Sequence, residues 1–293
     1  MFVGTIVASG ALRQGDITEA RDRLAAAGCQ PGEAVEIDPG KAADLFFSAK
    51  PAEARQALQA INEGIDIIVQ PVETREKRLL VADMDSTMIT VECIDELADY
   101  AGIKEQIADV TERAMRGELD FAEALKSRVA LLKGLEEQVI DICRAERVKI
   151  MPGAKVLVQT MNARGAKTVL VSGGFTRFAE PVGKEIGFGR VVANVLEVEG
   201  ALLAGTVQFP IVDALTKRTE LEQTSAQYGI PRELTMAVGD GANDILMMEA
   251  AGLGVAYHAK QKAREAADAE INHGDLSVLL YAQGIAPRHW AAE

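Results

Sequence analysis

Cysteines, histidines, aromatic rings and positive charge are all scarce in this chain, and each shortage removes a class of function. The three cysteines, Cys29, Cys93 and Cys143, are odd in number and widely spaced, with no C-x-x-C pair, so neither a disulfide framework nor a zinc site is expected. His258, His273 and His289 have no partners in the sequence and are assigned no chemistry. Aromatic residues make up 4% of the chain while 48% is hydrophobic, so the core must be packed mainly by aliphatic side chains. Thirty-one Lys and Arg against 44 Asp and Glu leave a net charge of −13, which argues against a nucleic-acid or membrane-surface binder. No apolar run approaches membrane-spanning length. Residues 1–12 are apolar but have no positive n-region, the first basic residue being Arg13, so a cytoplasmic protein is expected.

What the chain does contain is a set of short aliphatic runs that end abruptly in polar residues. The sharpest is Leu79-Leu80-Val81-Ala82-Asp83-Met84-Asp85-Ser86-Thr87. Such a run suits a buried parallel strand, and in open α/β sheets ligands collect beyond the carboxyl ends of these strands. Two carboxylates this close repel one another, so they need a cation, or one must hold a proton at neutral pH. An Asp-x-Asp turn that merely caps the next helix is the plain alternative.

Three further stretches supply context. Thr168-Val169-Leu170-Val171-Ser172-Gly173-Gly174 opens a second strand into a hydroxyl and two glycines. Thr235-Met236-Ala237-Val238-Gly239-Asp240-Gly241-Ala242-Asn243-Asp244 runs a third into carboxylates, and Lys217 lies between them. The ordered set Asp-x-Asp, Ser-Gly, Lys, Gly-Asp-Gly-x-Asn-Asp resembles the haloacid dehalogenase superfamily. With Glu92 and residues 121–128 added, residues 75–285 are similar to the phosphoserine phosphatase family within it.

The resemblance implies a Rossmann-like parallel α/β core with a helical cap inserted after the first motif strand. It implies magnesium-dependent hydrolysis of phosphoserine to serine and phosphate, the last step of serine biosynthesis. Asp83 would be the nucleophile that forms an aspartyl-phosphate, and Asp85 the acid and then the base. Ser172, Gly173 and Lys217 would hold phosphate oxygens, with Asn243 orienting phosphate or Asp83. Asp83, Asp240 and the Asp85 main-chain carbonyl would ligate Mg²⁺, and Asp244 would order a metal-bound water. Glu92 and Arg128 would meet the substrate ammonium and carboxylate, with Met115 and Phe121 as pocket walls. A relative acting on another small phosphorylated amino acid, a phosphotransferase and a non-enzymatic amino-acid-responsive regulator are the alternatives.

The length of 293 residues suits a large domain plus a small one. Residues 1–72 read β-α-β-β-α-β: strands at 2–9, 35–37, 43–48 and 65–69, helices at 17–27 and 51–61. That order matches a ferredoxin-like unit, and its position resembles an ACT-like module that binds a free amino acid such as serine, mediates a homodimer, or simply packs. Residues 73–78 are a charge run, expected to be a solvated linker to a catalytic domain at 73–293.

Residues 90–150 should form the cap, with helices at 93–100, 105–116 and 121–133. Gly102, Gly117 and Gly134 either hinge it or end helices. Phe121, Leu125, Arg128 and Leu132 share one helical face, so Arg128 interrupts an apolar stripe. A guanidinium there needs an anion, and the residues alone favour a structural pair with Glu96 or Asp99. A helix at 152–164, a hairpin of strands 191–198 and 201–207, a helix from 217 to about 228 and a strand at 253–257 complete the expectation.

Overall fold

The computed structural model describes residues 1–61, 64–115 and 118–292; of Met115 only the backbone is described, so its proposed wall role lies outside the description, as does Gly117. The first region runs β1 (Phe2–Ala8), α1 (Gln14–Ala26), β2 (Pro31–Asp38), β3 (Ala42–Phe47), α2 (Pro51–Gln59) and β4 (Ile65–Pro71). Its strands lie in the order β2-β3-β1-β4, all antiparallel, which is the expected ferredoxin-like arrangement. Pro51 opens α2 because its missing N–H has no partner to lose there.

The second region begins with β5 (Leu79–Ala82) and then leaves the sheet through α3 (Cys93–Tyr100), α4 (Lys104–Met115), α5 (Phe121–Ala130) and α6 (Gln138–Arg147). Exit and re-entry are adjacent: Ile89 and Ile150 form an antiparallel bridge. Asp120 caps α5 by accepting from the Glu123 N–H at 2.8 Å, while the Glu123 carboxylate accepts from the Asp120 N–H at 3.0 Å. Gly102, at φ +71°, takes the left-handed turn just past α3, whereas α5 ends at Ala130, short of the expected 133, and Gly134, at φ +82°, lies beyond it with its N–H donating to the Leu203 carbonyl. The chain returns through α7 (Ala154–Ala163) to β6 (Lys167–Phe175), α8 (Thr176–Ile186) and β7 (Arg190–Asn194). It then runs through β8 (Leu196–Glu199), β9 (Leu202–Val207), α9 (Ala214–Tyr228), β10 (Thr235–Gly239) and α10 (Ile245–Ala250). It closes with β11 (Leu253–Tyr257), α11 (Gln261–Ala266), β12 (Ala269–Ile271) and α12 (Val278–Ala282).

Strands β12-β11-β10-β5-β6-β7 form a parallel sheet with β5 near its centre, and an antiparallel contact between Glu270 of β12 and Ile67 of β4 joins it to the first region. All four β5 residues are buried, as a strand covered on both faces requires. Aliphatic side chains dominate the cores on both faces of the parallel sheet.

Several expectations change. Residues 191–198 are not one hairpin strand: the run breaks at Val195, β7 joins the main sheet beside β6, and only β8 pairs with β9. Residues 73–78 are solvated only in part: Glu73, Glu76 and Arg78 are exposed, while Arg75 and Lys77 are not. Arg75 forms a two-point pair with Asp44 at 2.7 and 2.9 Å and donates to the carbonyls of Tyr281 and Ala282, while Lys77 is buried against the carbonyls of Thr74 and Glu233. These charges tie the connecting segment to β3 of the first region, to the end of α12 and to the turn before β10. Helices α6 and α8 were not anticipated, and α9 starts at Ala214, where the Asp213 carboxylate accepts from the Thr216 N–H.

Candidate active site

The carboxyl ends of β5, β6 and β10, three neighbours in the sheet, bring the polar ends of the motif strands to one place. A cavity of about 110 Å³ opens there. Asp83, Asp85, Asp240 and Asn243 line its floor, Gly173, Gly174 and Phe175 one wall, and Glu92, Phe121, Leu125 and Arg128 the cap side. Ser172 and Lys217 do not line it; both are buried behind its floor.

Asp83 Oδ1 accepts from the Met84 N–H at 2.8 Å and lies 2.6 Å from Lys217 Nζ. Its Oδ2 accepts from none of the described residues. Lys217 Nζ also sits 2.7 Å from Asp244 Oδ1, so a buried ammonium bridges two buried carboxylates. Burial opposes the charge on Lys217, but Asp244 and Asp83 overcome it and raise its pKa. Burial and Asp244 push the Asp83 carboxyl well up, against the pull of Lys217. Asp244 Oδ2 accepts from the N–H groups of Asp240 and Gly241 at 3.2 and 3.0 Å, which fixes the loop after β10. A side chain at Gly239 would collide with Asp244, so that approach requires glycine.

Carboxylate oxygens of Asp83, Asp240 and Asp244 lie within 4.8 Å of one another. This is an all-oxygen donor set of the kind a hard divalent cation takes, and three carboxylates beside the buried Lys217 and the exposed Lys260 still leave negative charge for it to neutralise. Burial, with Asp244 adding, pushes the Asp240 pKa up to about 6 against the pull of Lys260. Asp244, expected to order a metal-bound water, has one carboxylate oxygen on Lys217 and the other on the Asp240 and Gly241 N–H groups.

Asp85 is held differently. Its Oδ1 accepts from the Cys93 N–H at 2.8 Å and its Oδ2 from the Ser172 hydroxyl at 3.2 Å. Burial first, then the neighbouring Glu92, pushes its pKa up to about 6, in the range useful to a group that both gives and takes a proton. The Ser172 hydroxyl in turn accepts from the Gly174 N–H at 2.8 Å, and a Cβ on Gly174 would stand 3.0 Å from Asp85 Oδ2.

At the cap side Arg128 has the environment the apolar stripe implied. Its side chain donates only to the Ala124 carbonyl of its own helix, at 3.3 Å, and no carboxylate of the described residues lies within 4.0 Å. Burial pushes its pKa down while Asp95 and Glu92 resist, yet the guanidinium stays charged. The structural pairing with Glu96 or Asp99 is not found, because Arg147 of α6 takes both at 3.5 and 3.6 Å. Phe121 approaches the opposite wall: a Cβ on Gly173 would stand 3.1 Å from its ring.

Two contributors had no signal in the sequence. Lys260, exposed on the loop before α11, lines the cavity 3.7 Å from Asp240 Oδ2, and its N–H donates to the Asp240 carbonyl. Asn194, buried at the end of β7, donates to the Gly173 carbonyl and accepts from the Val212 N–H, both at 2.8 Å. It fixes the Gly173 wall to the segment that enters α9.

A family model described as haloacid dehalogenase-like hydrolase matches residues 77–252. A phosphoserine phosphatase of Mycobacterium tuberculosis is 46% identical over 228 residues, covering 77% of this chain and 56% of that protein. One from Albidiferax ferrireducens is 45% identical, covering 75% of this chain and 96% of that protein. This chain thus spans little more than half of the mycobacterial relative and nearly all of the other. Among solved structures, an unliganded probable phosphoserine phosphatase of Vibrio cholerae superposes with a TM-score of 0.78 at 32% identity, covering 99% of this chain and 90% of that one. A haloacid dehalogenase family hydrolase of Salmonella enterica serovar Typhi reaches 0.84 at 27% identity, covering 96% and 98%.

Proposed function

Because this chain belongs to the haloacid dehalogenase-like hydrolases, we propose that its cavity hydrolyses phosphoserine to serine and phosphate. The observation that carries the reading is the half-buried Arg128, which faces the same cavity as Asp83 with no carboxylate of the described residues within 4.0 Å of it, Asp95 and Glu92 acting on it only from farther off. A substrate carboxylate meets that need, Glu92 complements an ammonium, and the floor takes the phosphate. The nearby relatives bearing the name phosphoserine phosphatase support the same substrate.

Asp83 is the nucleophile. Its Oδ2 is free while Oδ1 is tied down, so attack on phosphorus would form an Asp83 aspartyl-phosphate and expel the serine oxygen. Asp85, with its raised pKa, protonates that oxygen and then takes a proton from the attacking water. The ammonium of Lys217 orients Asp83, and Asn243 and the Gly173 wall confine the phosphoryl group by position and charge. Asp83 and Asp240, with the Asp85 carbonyl, would hold Mg²⁺, with Asp244 beside them to order a metal-bound water; the ion would supply charge stabilisation to the phosphoryl oxygens.

We read residues 1–72 as an ACT-like unit that binds free serine or mediates a homodimer, appended to a catalytic unit at 73–293 with its cap at about 90–150. The product would close a serine-producing sequence in the cytoplasm. No helix among the described residues is long and apolar enough to cross a membrane. The test is phosphate release from L-phosphoserine with magnesium and with a chelator. Magnesium-dependent release is expected; release from an aryl phosphate with none from phosphoserine would leave the hydrolase and remove the substrate.

A further inference from the structure

We propose that Ser86 is a positioning residue that fixes Glu92 and thereby sets the preference for phosphomonoesters carrying an ammonium group. This rests on the phosphoserine reading of the same cavity. Ser86 follows Asp85 directly and stands at φ +54°, in the left-handed region that a residue with a Cβ enters at a cost. Glycine would hold this turn more easily, yet the position carries a hydroxyl, and that hydroxyl donates to Glu92 Oε1 at 2.7 Å. Such strain persists where the surrounding contacts depend on it.

Two backbone contacts reinforce the link. The Ser86 N–H donates to the Val91 carbonyl at 3.3 Å, and the Cys93 N–H donates to Asp85 Oδ1 at 2.8 Å. Residues 85–86, which carry the acid, are therefore tied at three points to residues 91–93, which open the first cap helix. Glu92 has no ion-pair partner among the described residues, and the Ser86 hydroxyl is the one hydrogen bond to its carboxylate among them. A glutamate is otherwise free to sample many rotamers. Tethering one oxygen holds the carboxylate at the cavity wall beside Arg128 and leaves the other oxygen for a ligand. Ammonium recognition and the acid are then fixed by consecutive residues.

The test compares wild type, Ser86→Ala, Ser86→Gly and Ser86→Asn on L-phosphoserine and on an aryl phosphate, which has no ammonium. Ser86→Ala is expected to raise KM for phosphoserine by about 10-fold, with kcat little changed and both constants for the aryl phosphate within about twofold of wild type. Ser86→Gly should show the same KM rise with a melting temperature at or above that of Ser86→Ala, since the backbone is relieved while the hydroxyl is lost. Ser86→Asn, a short donor that tolerates the left-handed region, should recover part of the phosphoserine KM. An unchanged phosphoserine KM in Ser86→Ala, or an equal loss on both substrates, overturns the assignment. Wild type that ignores phosphoserine while hydrolysing the aryl phosphate overturns the functional reading first, and the assignment falls with it.

Discussion

The two ends of the cavity treat charge in opposite ways. Behind the floor, Lys217 is enclosed by Asp83 and Asp244 at 2.6 and 2.7 Å, and the protein supplies both partners of each contact. On the cap side, among the described residues, Arg128 is half-buried with a single weak contact to its own helix, and Glu92 is tethered through one oxygen only. A buried charge left without a partner is costly unless something else meets it. The floor thus holds its own geometry, and under the proposed function the cap side is completed by a ligand with an anion and a cation of its own. Arg75 shows what a purely structural arginine looks like in the same molecule: half-buried like Arg128, it meets a two-point carboxylate and two carbonyls.

The largest effect that could break this contrast is at Asp83. Asp83→Asn should lower phosphoserine turnover by at least about 10⁴-fold while leaving the circular dichroism spectrum unchanged. Turnover near wild type in a sequence-verified variant would remove Asp83 from the chemistry. Next is the floor's internal pairing. Lys217→Met should cost about 3–5 kcal/mol in chelator-treated protein at pH 7, because two buried carboxylates lose their shared cation. Denaturant unfolding measures it, and a loss under about 1 kcal/mol would show that the ammonium does not hold the floor together.

A second fully buried cation sharpens the comparison from outside the cavity. Lys77 has only carbonyl partners, and burial pushes its pKa down to about 8. The folded state therefore releases this proton before the unfolded chain does. Between about pH 8 and the ordinary value of 10.5 the unfolded state binds more protons, so stability should rise with pH in that window, by up to about 3 kcal/mol. Unfolding curves of wild type and Lys77→Met across that range isolate the contribution. The variant should lack the rise, and parallel curves would contradict it. The smallest effect is at Lys260. Its exposed ammonium is a local attraction for a dianion on a protein of net charge −13, so Lys260→Ala should lower kcat/KM by about two- to fivefold at low salt, with the difference fading as salt rises. A salt-independent difference would exclude electrostatic steering.

Much of this was legible in local sequence. The parallel strands announced themselves because a short aliphatic run ending in Asp or Ser-Gly is complete within nine or ten residues. The arginine at residue 128 was legible as an interruption of an apolar helical face. Its surroundings were not, because the pairing of Glu96 and Asp99 with Arg147 spans about fifty residues and depends on α6. Helix α8 was obscured by Pro181 inside it. The break at Val195 has no glycine or proline to mark it, and only the neighbouring β6 decides which half of the run joins the main sheet. Lys260 reaches the cavity because β11 lies beside β10, a fact of strand order that no local pattern carries.

The difference between the two ends is tested most directly by the ratio of kcat/KM for L-phosphoserine to that for an aryl phosphate, in wild type and in Arg128→Ala, with magnesium present. If the cap side awaits a substrate carboxylate, Arg128→Ala lowers the ratio by about 10²-fold, leaves aryl phosphate hydrolysis intact and does not lower the melting temperature. An unchanged ratio, or an equal fall on both substrates, would contradict the account and return Arg128 to the structural arginines.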